Sequence, residues 1–143
     1  MFSRYHFLII AALIMLPFNH LYAQTHQQTK AKRFFSGQKM LVSYREGGPV
    51  YGTYFFLEIH YCRSGNYLLY GQSRKQTVLG NEQVNNWQDK GTWNIISFQG
   101  NTALQYQSTS GRRDLIPIQL LPDGSVWVNE SVSIRKRGRA QCR

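Results

Sequence analysis

The chain has 143 residues, carries 17 Lys and Arg against 7 Asp and Glu for a formal charge of +10, and contains only two cysteines. That length accommodates one domain with one modest core. Two cysteines without CxxC spacing argue against a zinc centre, and the positive excess directs attention to anionic partners.

The N-terminus reads "MFSRYH", then the unbroken apolar "FLIIAALIMLPF", then "NHLYA", the three-part pattern of a secretory signal peptide. The run from Phe7 to Phe18 is shorter than the roughly 20 residues that span a bilayer. Cleavage is therefore expected after Ala23, making residues 1–23 the leader and leaving an exported chain without a transmembrane segment. Leu21, an acceptable residue three before the cut, leaves an uncleaved N-terminal anchor as the alternative. Residues 24–36, "QTHQQTKAKRFFS", are polar and basic without periodicity, so they read as a flexible basic segment ahead of a domain over 37–143.

From there apolar and aromatic residues recur in short runs. The expected strands are Lys39 to Arg45, Gly52 to Tyr61, Asn66 to Ser73, Gly91 to Phe98, Thr102 to Ser108, Asp114 to Leu121, Ser125 to Asn129 and Ser131 to Arg137. Between them stand the turn sequences "EGGP", "RSGN", "FQGNT", "TSGRR" and "LPDGS", which are what hairpins use. No segment carries a helical period of comparable length. The polar "NEQVNNWQDK", Asn81 to Lys90, reads as a long loop with at most one helical turn. The fold class is thus all-β: a single antiparallel meander of about eight strands, closing into a small barrel or a strongly curled sheet.

Alternation assigns the faces. Phe55, Leu57, Ile59 and Tyr61 point to the core, and Tyr54, Phe56, Glu58, His60 and Cys62 point the other way. Trp93 and Ile95 share a face of the next apolar strand. In an oxidising compartment Cys62 and Cys142 are expected to pair. Their bond closes a loop of about 80 residues, for which chain entropy gives ~4 kcal/mol, and fastens an otherwise loose C-terminal end.

The run "YFFLEIHYCRSGNYLLYGQS", followed by "GTWNII" and "TALQYQSTSGRRDLIPIQLLPDGSVWVN", resembles bacterial lipocalin-like small-barrel domains over roughly Leu41 to Ile134. Lipocalins place Gly-x-Trp at the start of their first strand, whereas Gly91, Thr92 and Trp93 lie mid-chain. The resemblance therefore implies a fold and an exported bacterial setting, and no binding residue is carried over. Fold likeness is in any case weak support for function.

Glu58 and His60, two apart on one strand face, form the one pair with the chemistry of an acid and base or of two metal ligands. A solvated or mutually bonded pair is the plainer reading. There is no Gly-x-Ser-x-Gly elbow, phosphate loop, HExxH or EF-hand loop, so neither catalysis nor a cofactor or metal is expected. Asp114 and Asp123 border turns, where Asp bonds the backbone.

Charge says more. Arg135, Lys136, Arg137 and Arg139 crowd the basic C-terminal tail, and Lys30, Lys32 and Arg33 form a second cluster. For an exported protein these point to an anionic envelope surface: lipid headgroups, lipopolysaccharide or acidic glycan. A simply solvated charged surface is the alternative. Nucleic acid is disfavoured, because alternation assigns most aromatics to packing and export removes the partner.

Three function classes follow. The leading one is a non-enzymatic binding or envelope-associated domain acting through the basic tail. The second is a small apolar-ligand carrier with an interior lined by Phe55, Leu57, Ile59, Trp93 and Ile95. The third is an inhibitor module using the segment from Gln76 to Gln88. Oligomeric state is not legible.

Overall fold

The computed structural model describes residues 25–48 and 50–143. The signal-like run and the cut expected after Ala23 lie outside the described residues. Residues 25–35 form a helix, α1, where the sequence reading expected a flexible segment. The helix exists because Ala31 and Phe35 are four apart, share one face and are fully buried. Two anchors are too few to register as a period, yet burying a Phe contributes roughly 1.5–3 kcal/mol. The helix ends where Ser36 N–H donates to the Lys32 carbonyl at 2.9 Å and Gly37 takes a left-handed φ of 74°, the usual helix stop. Gly37 N–H then donates to the Tyr61 carbonyl at 2.7 Å, and its own carbonyl accepts from Ala140 N–H at 3.0 Å.

Among the described residues nine strands follow: β1 (Gln38–Glu46), β2 (Thr53–Tyr61), β3 (Asn66–Gln76), β4 (Glu82–Phe98), β5 (Asn101–Ser108), β6 (Arg113–Pro117), β7 (Gln119–Leu120), β8 (Val126–Trp127) and β9 (Val132–Arg139). Seven make one antiparallel sheet in the order β6-β5-β4-β3-β2-β1-β9, and β7 pairs with β8. This is the expected all-β meander in its curled form. The sheet does not close, since β6 and β9 are its two edges.

Three boundaries differ from the sequence reading. The polar stretch from Asn81 is the first half of β4, not a loop: residues 82–92 pair with β3, and residues 91–98 pair with β5. It reads as a loop because Val84, Asn86 and Gln88 lie on an exposed face, so only Trp87 and Asp89 turn inward. The strand changes partners at Gly91, where an added Cβ would lie 2.0 Å from the Gln107 carbonyl oxygen. Next, the strand expected from Asp114 to Leu121 breaks after Pro117, and Ile118 N–H turns to the Thr102 carbonyl at 3.0 Å. Finally, the strand expected from Ser131 to Arg137 is present and runs on to Arg139. Arg135 and Lys136 pair with Leu41 and Met40, and after a register shift Arg139 pairs with Gln38.

The β4–β5 turn has positive φ at both Gln99 and Gly100, the two-residue geometry whose twist suits a hairpin. At the other end of the sheet Cys62 and Gly65 form the β2–β3 turn, with Gly65 N–H donating to the Cys62 carbonyl at 3.0 Å. The Trp93 indole N–H donates to that same carbonyl at 3.1 Å, and Phe35 packs at 4.9 Å from the Tyr61 ring and 6.4 Å from that of Trp93. The expected disulfide is present, with Cys62 and Cys142 Cα atoms 5.8 Å apart.

Replacing both cysteines, Cys62→Ser with Cys142→Ser, is expected to lower stability by about 2–4 kcal/mol, read from urea unfolding midpoints. Gly91→Ala is expected to cost more than that pair, because its clash is with backbone. A smaller loss would show that β4 can change partners without that close approach.

Candidate functional site

Two surfaces of the sheet carry concentrated chemistry. Strand register lays out the outer face as rows running β9, β1, β2, β3, β4: Ser133, Ser43, Phe56, Gln72, Asn86, and beside it Arg135, Leu41, Glu58, Tyr70, Gln88. A further row holds Arg45, Tyr54, Arg74 and Val84. Tyr54, Phe56 and Tyr70 are each more than two-fifths exposed. The Arg45 guanidinium lies 4.9 Å from the Tyr54 ring centroid and that of Arg74 lies 5.7 Å from Phe56, within cation-π range. Arg74 Nε donates to Gln72 Oε1 at 2.7 Å, and Gln72 Nε2 donates to Asn86 Oδ1 at 3.0 Å. A groove of about 470 Å³ runs across the first two of these rows and reaches Arg135 and Arg137.

The four cations singled out in the sequence therefore separate. Arg135 and Arg137 line the outer groove. Lys136 faces the other way, its Nζ 4.2 Å from the Phe34 ring of α1. Arg139 ends β9 beside Gln38, and all four are exposed. The second cluster lies on α1, which the Lys136–Phe34 contact and the Gly37–Ala140 bond join to β9. Both basic segments thus meet at one end of the sheet, and Arg63 packs against Gly37 there.

Glu58 and His60 are brought together, with His60 Nε2 2.8 Å from Glu58 Oε1. Gln141 backbone N–H donates to His60 Nδ1 at 2.9 Å, so Nδ1 accepts and Nε2 carries the proton given to Glu58. His60 is buried and both its nitrogens are occupied, Nδ1 in holding the chain end and Nε2 in bonding Glu58. Among the described residues no group of three or more His, Cys, Asp or Glu is placed to hold a metal ion.

The inner face encloses a cavity of about 520 Å³ between the edges β6 and β9. Of the five residues expected to line an interior, Leu57 and Ile59 do so. Phe55 instead stacks on Tyr44 at 4.7 Å, while Trp93 and Ile95 belong to the buried core that α1 covers. That correction has a physical cause, since the helix fills the end of the curl that the sequence reading left open.

Polar groups gather at this cavity. The Tyr61 and Tyr106 hydroxyls bond each other, Tyr67 O–H donates to Asp89 Oδ2 at 2.7 Å, and Ser108 O–H donates to Asp89 Oδ1 at 2.5 Å. Arg112 reaches Asp114 at 3.0 Å and Asp89 at 3.6 Å, so Asp114 has an ion-pair role beyond the turn role expected for it. Asp123 keeps that turn role, accepting from Ser125 N–H at 2.9 Å. Burial would raise the Asp89 carboxyl, but hydrogen bonds from Ser108, Tyr67 and Lys90 N–H, with the Arg112 charge, outweigh it and hold it below the ordinary range. Burial, then the Asp89 bond and charge, push Tyr67 up to about 12. Burial above all raises Tyr61 and Tyr106, and burial followed by the Glu46 charge raises Tyr44.

Sequence reasoning passed over Tyr67, Tyr106, Asp89 and Arg112. The available signal was the Tyr61 and Tyr67 pair flanking the "RSGN" turn, which any hairpin there sets side by side. Compared with known proteins, this chain matches no family model, no curated protein and no solved structure.

The cluster should be visible in the pH dependence of stability. Tyr67 rises from an ordinary 10.0 to about 12, so its contribution is complete below the unfolded value and is lost as pH climbs through about 12. Asp89 sits below its ordinary 3.8, so its contribution is present above that value and is lost as pH falls through the folded one. Urea midpoints against pH are expected to fall at both extremes, with Asp89→Asn flattening the acid limb and Tyr67→Phe the alkaline limb.

Proposed function

We propose that this chain is an exported, non-enzymatic binding domain whose outer face holds an acidic glycan of the cell envelope. The observation that carries the reading is the exposure, on one face, of Tyr54, Phe56 and Tyr70 together with Arg135 and Arg137. These rings pack only in part, against Arg45, Arg74 and His60, and keep more than two-fifths of their surface exposed, so alternation into a core does not account for them. A flat ring offers apolar area to the C–H face of a sugar, a guanidinium pairs with carboxylate or sulfate in two parallel hydrogen bonds, and side-chain amides answer hydroxyls. The Cys62–Cys142 bond fits the oxidising compartment that the signal-like N-terminus points to.

A flat lipid surface fits less well. The apolar residues most exposed, Val50, Val78 and Leu79, sit in the hairpin tips beyond Glu46 and Gln76. Arg135, Arg137 and the helix lie toward the opposite strand ends. Arg135 is level with Leu41, five residues or about 17 Å short of Glu46, and the helix lies farther still, so the exposed apolar tips and the cations are not gathered at one end of the sheet. The segment from Gln76 to Gln88, weighed as an inhibitory loop, is mostly strand, with a tip of only residues 77–81.

The test is salt-graded binding of the oxidised protein to alginate, to phosphatidylglycerol vesicles and to single-stranded oligothymidylate. Alginate is expected to bind most tightly, with affinity falling as salt screens the charges. Arg135→Ser with Arg137→Ser, and separately Phe56→Ala with Tyr70→Ala, should each weaken it by about tenfold. Tighter binding to vesicles or oligothymidylate, or an aromatic variant equal to the parent, would overturn the glycan reading.

A further inference from the structure

We infer that the inner cavity is a second, independent binding site whose ligand is a small amphiphilic amine. Its volume of about 520 Å³ lies within the range of small-molecule sites. Val42, Leu57, Ile116, Val128 and Ile134 supply apolar wall and are only partly buried, so the sheet leaves this surface without a full cover of its own. The wall suits an alkyl or aryl body.

The polar lining decides the head group. The chain as a whole is strongly cationic, yet Glu46, Asp89 and Asp114 all line this cavity against the single cation Arg112. Arg112 is already held by Asp114 and Asp89. Tyr67 spends its proton on Asp89, which leaves its oxygen lone pairs as acceptors. Tyr44, whose ionisation is opposed by burial and then by Glu46, adds an aromatic wall. The site is thus rich in acceptors and net negative. An ammonium brings three donors and a positive charge, whereas a carboxylate of the same body brings neither and meets repulsion.

The experiment titrates octylamine, octanoate and octanol into the oxidised protein by calorimetry. Octylamine is expected to bind one per chain, octanol about tenfold more weakly, and octanoate not at all over the same range. Glu46→Gln and Asp89→Asn should each weaken octylamine while leaving octanol unchanged. Ile134→Trp, which fills the cavity from β9 without touching the Asp89 bonds, should abolish binding of both. Octanoate binding as tight as octylamine, no octylamine binding, or full binding in Ile134→Trp would overturn the inference. Alginate affinity measured on the same Ile134→Trp sample separates this outcome from that of the outer face.

Discussion

The β2–β3 turn that opens at Cys62 is where the separate parts of this chain are tied to one another. Its carbonyl takes the Trp93 indole proton, its sulfur takes Cys142, and the neighbouring Tyr61 carbonyl takes Gly37 N–H. Through these bonds β4, the chain end and the helix converge on one hairpin. Two of the three have little apolar surface of their own to find that place: the helix buries Ala31 and Phe35, and the last residues offer almost nothing. A cross-link acts there with most effect, because the chain between its ends is long and the entropy of the open ensemble grows with that length.

With that corner fixed, curvature divides the charge. The outer face takes arginines and half-exposed rings, and the inner face takes carboxylates together with tyrosine hydroxyls whose ionisation is opposed by burial. A chain with this composition therefore presents two different chemistries on its two faces. His60, whose pairing with Glu58 drew attention in the sequence, ties down the chain end through Gln141.

Much of the fold was legible where strand residues alternate between core and solvent, as in β2, and where turn residues mark the ends. The disulfide was legible from compartment and count. The helix was not, because its anchoring is tertiary: Phe35 is helical on account of Tyr61 and Trp93, which are distant in sequence. The first half of β4 was hidden by its polar outer residues, whose strand conformation is imposed by β3. The outer face could be assigned from alternation, but its exposure could not, since only the assembled sheet shows how much of Tyr54, Phe56 and Tyr70 stays open to solvent. The Asp89 cluster depended on that unseen half-strand, and so was out of reach.

A sheet that curls without closing keeps two unpaired margins, and such margins invite another copy to add on. Here β6 is short and ends in Pro117, which has no N–H to offer, while β9 bears Arg135, Lys136, Arg137 and Arg139. Two β9 margins approaching each other bring like charges together, so the protein guards its own solubility with the same arginines it presents outward. Raised ionic strength weakens that guard, because screening lets neighbouring copies draw closer.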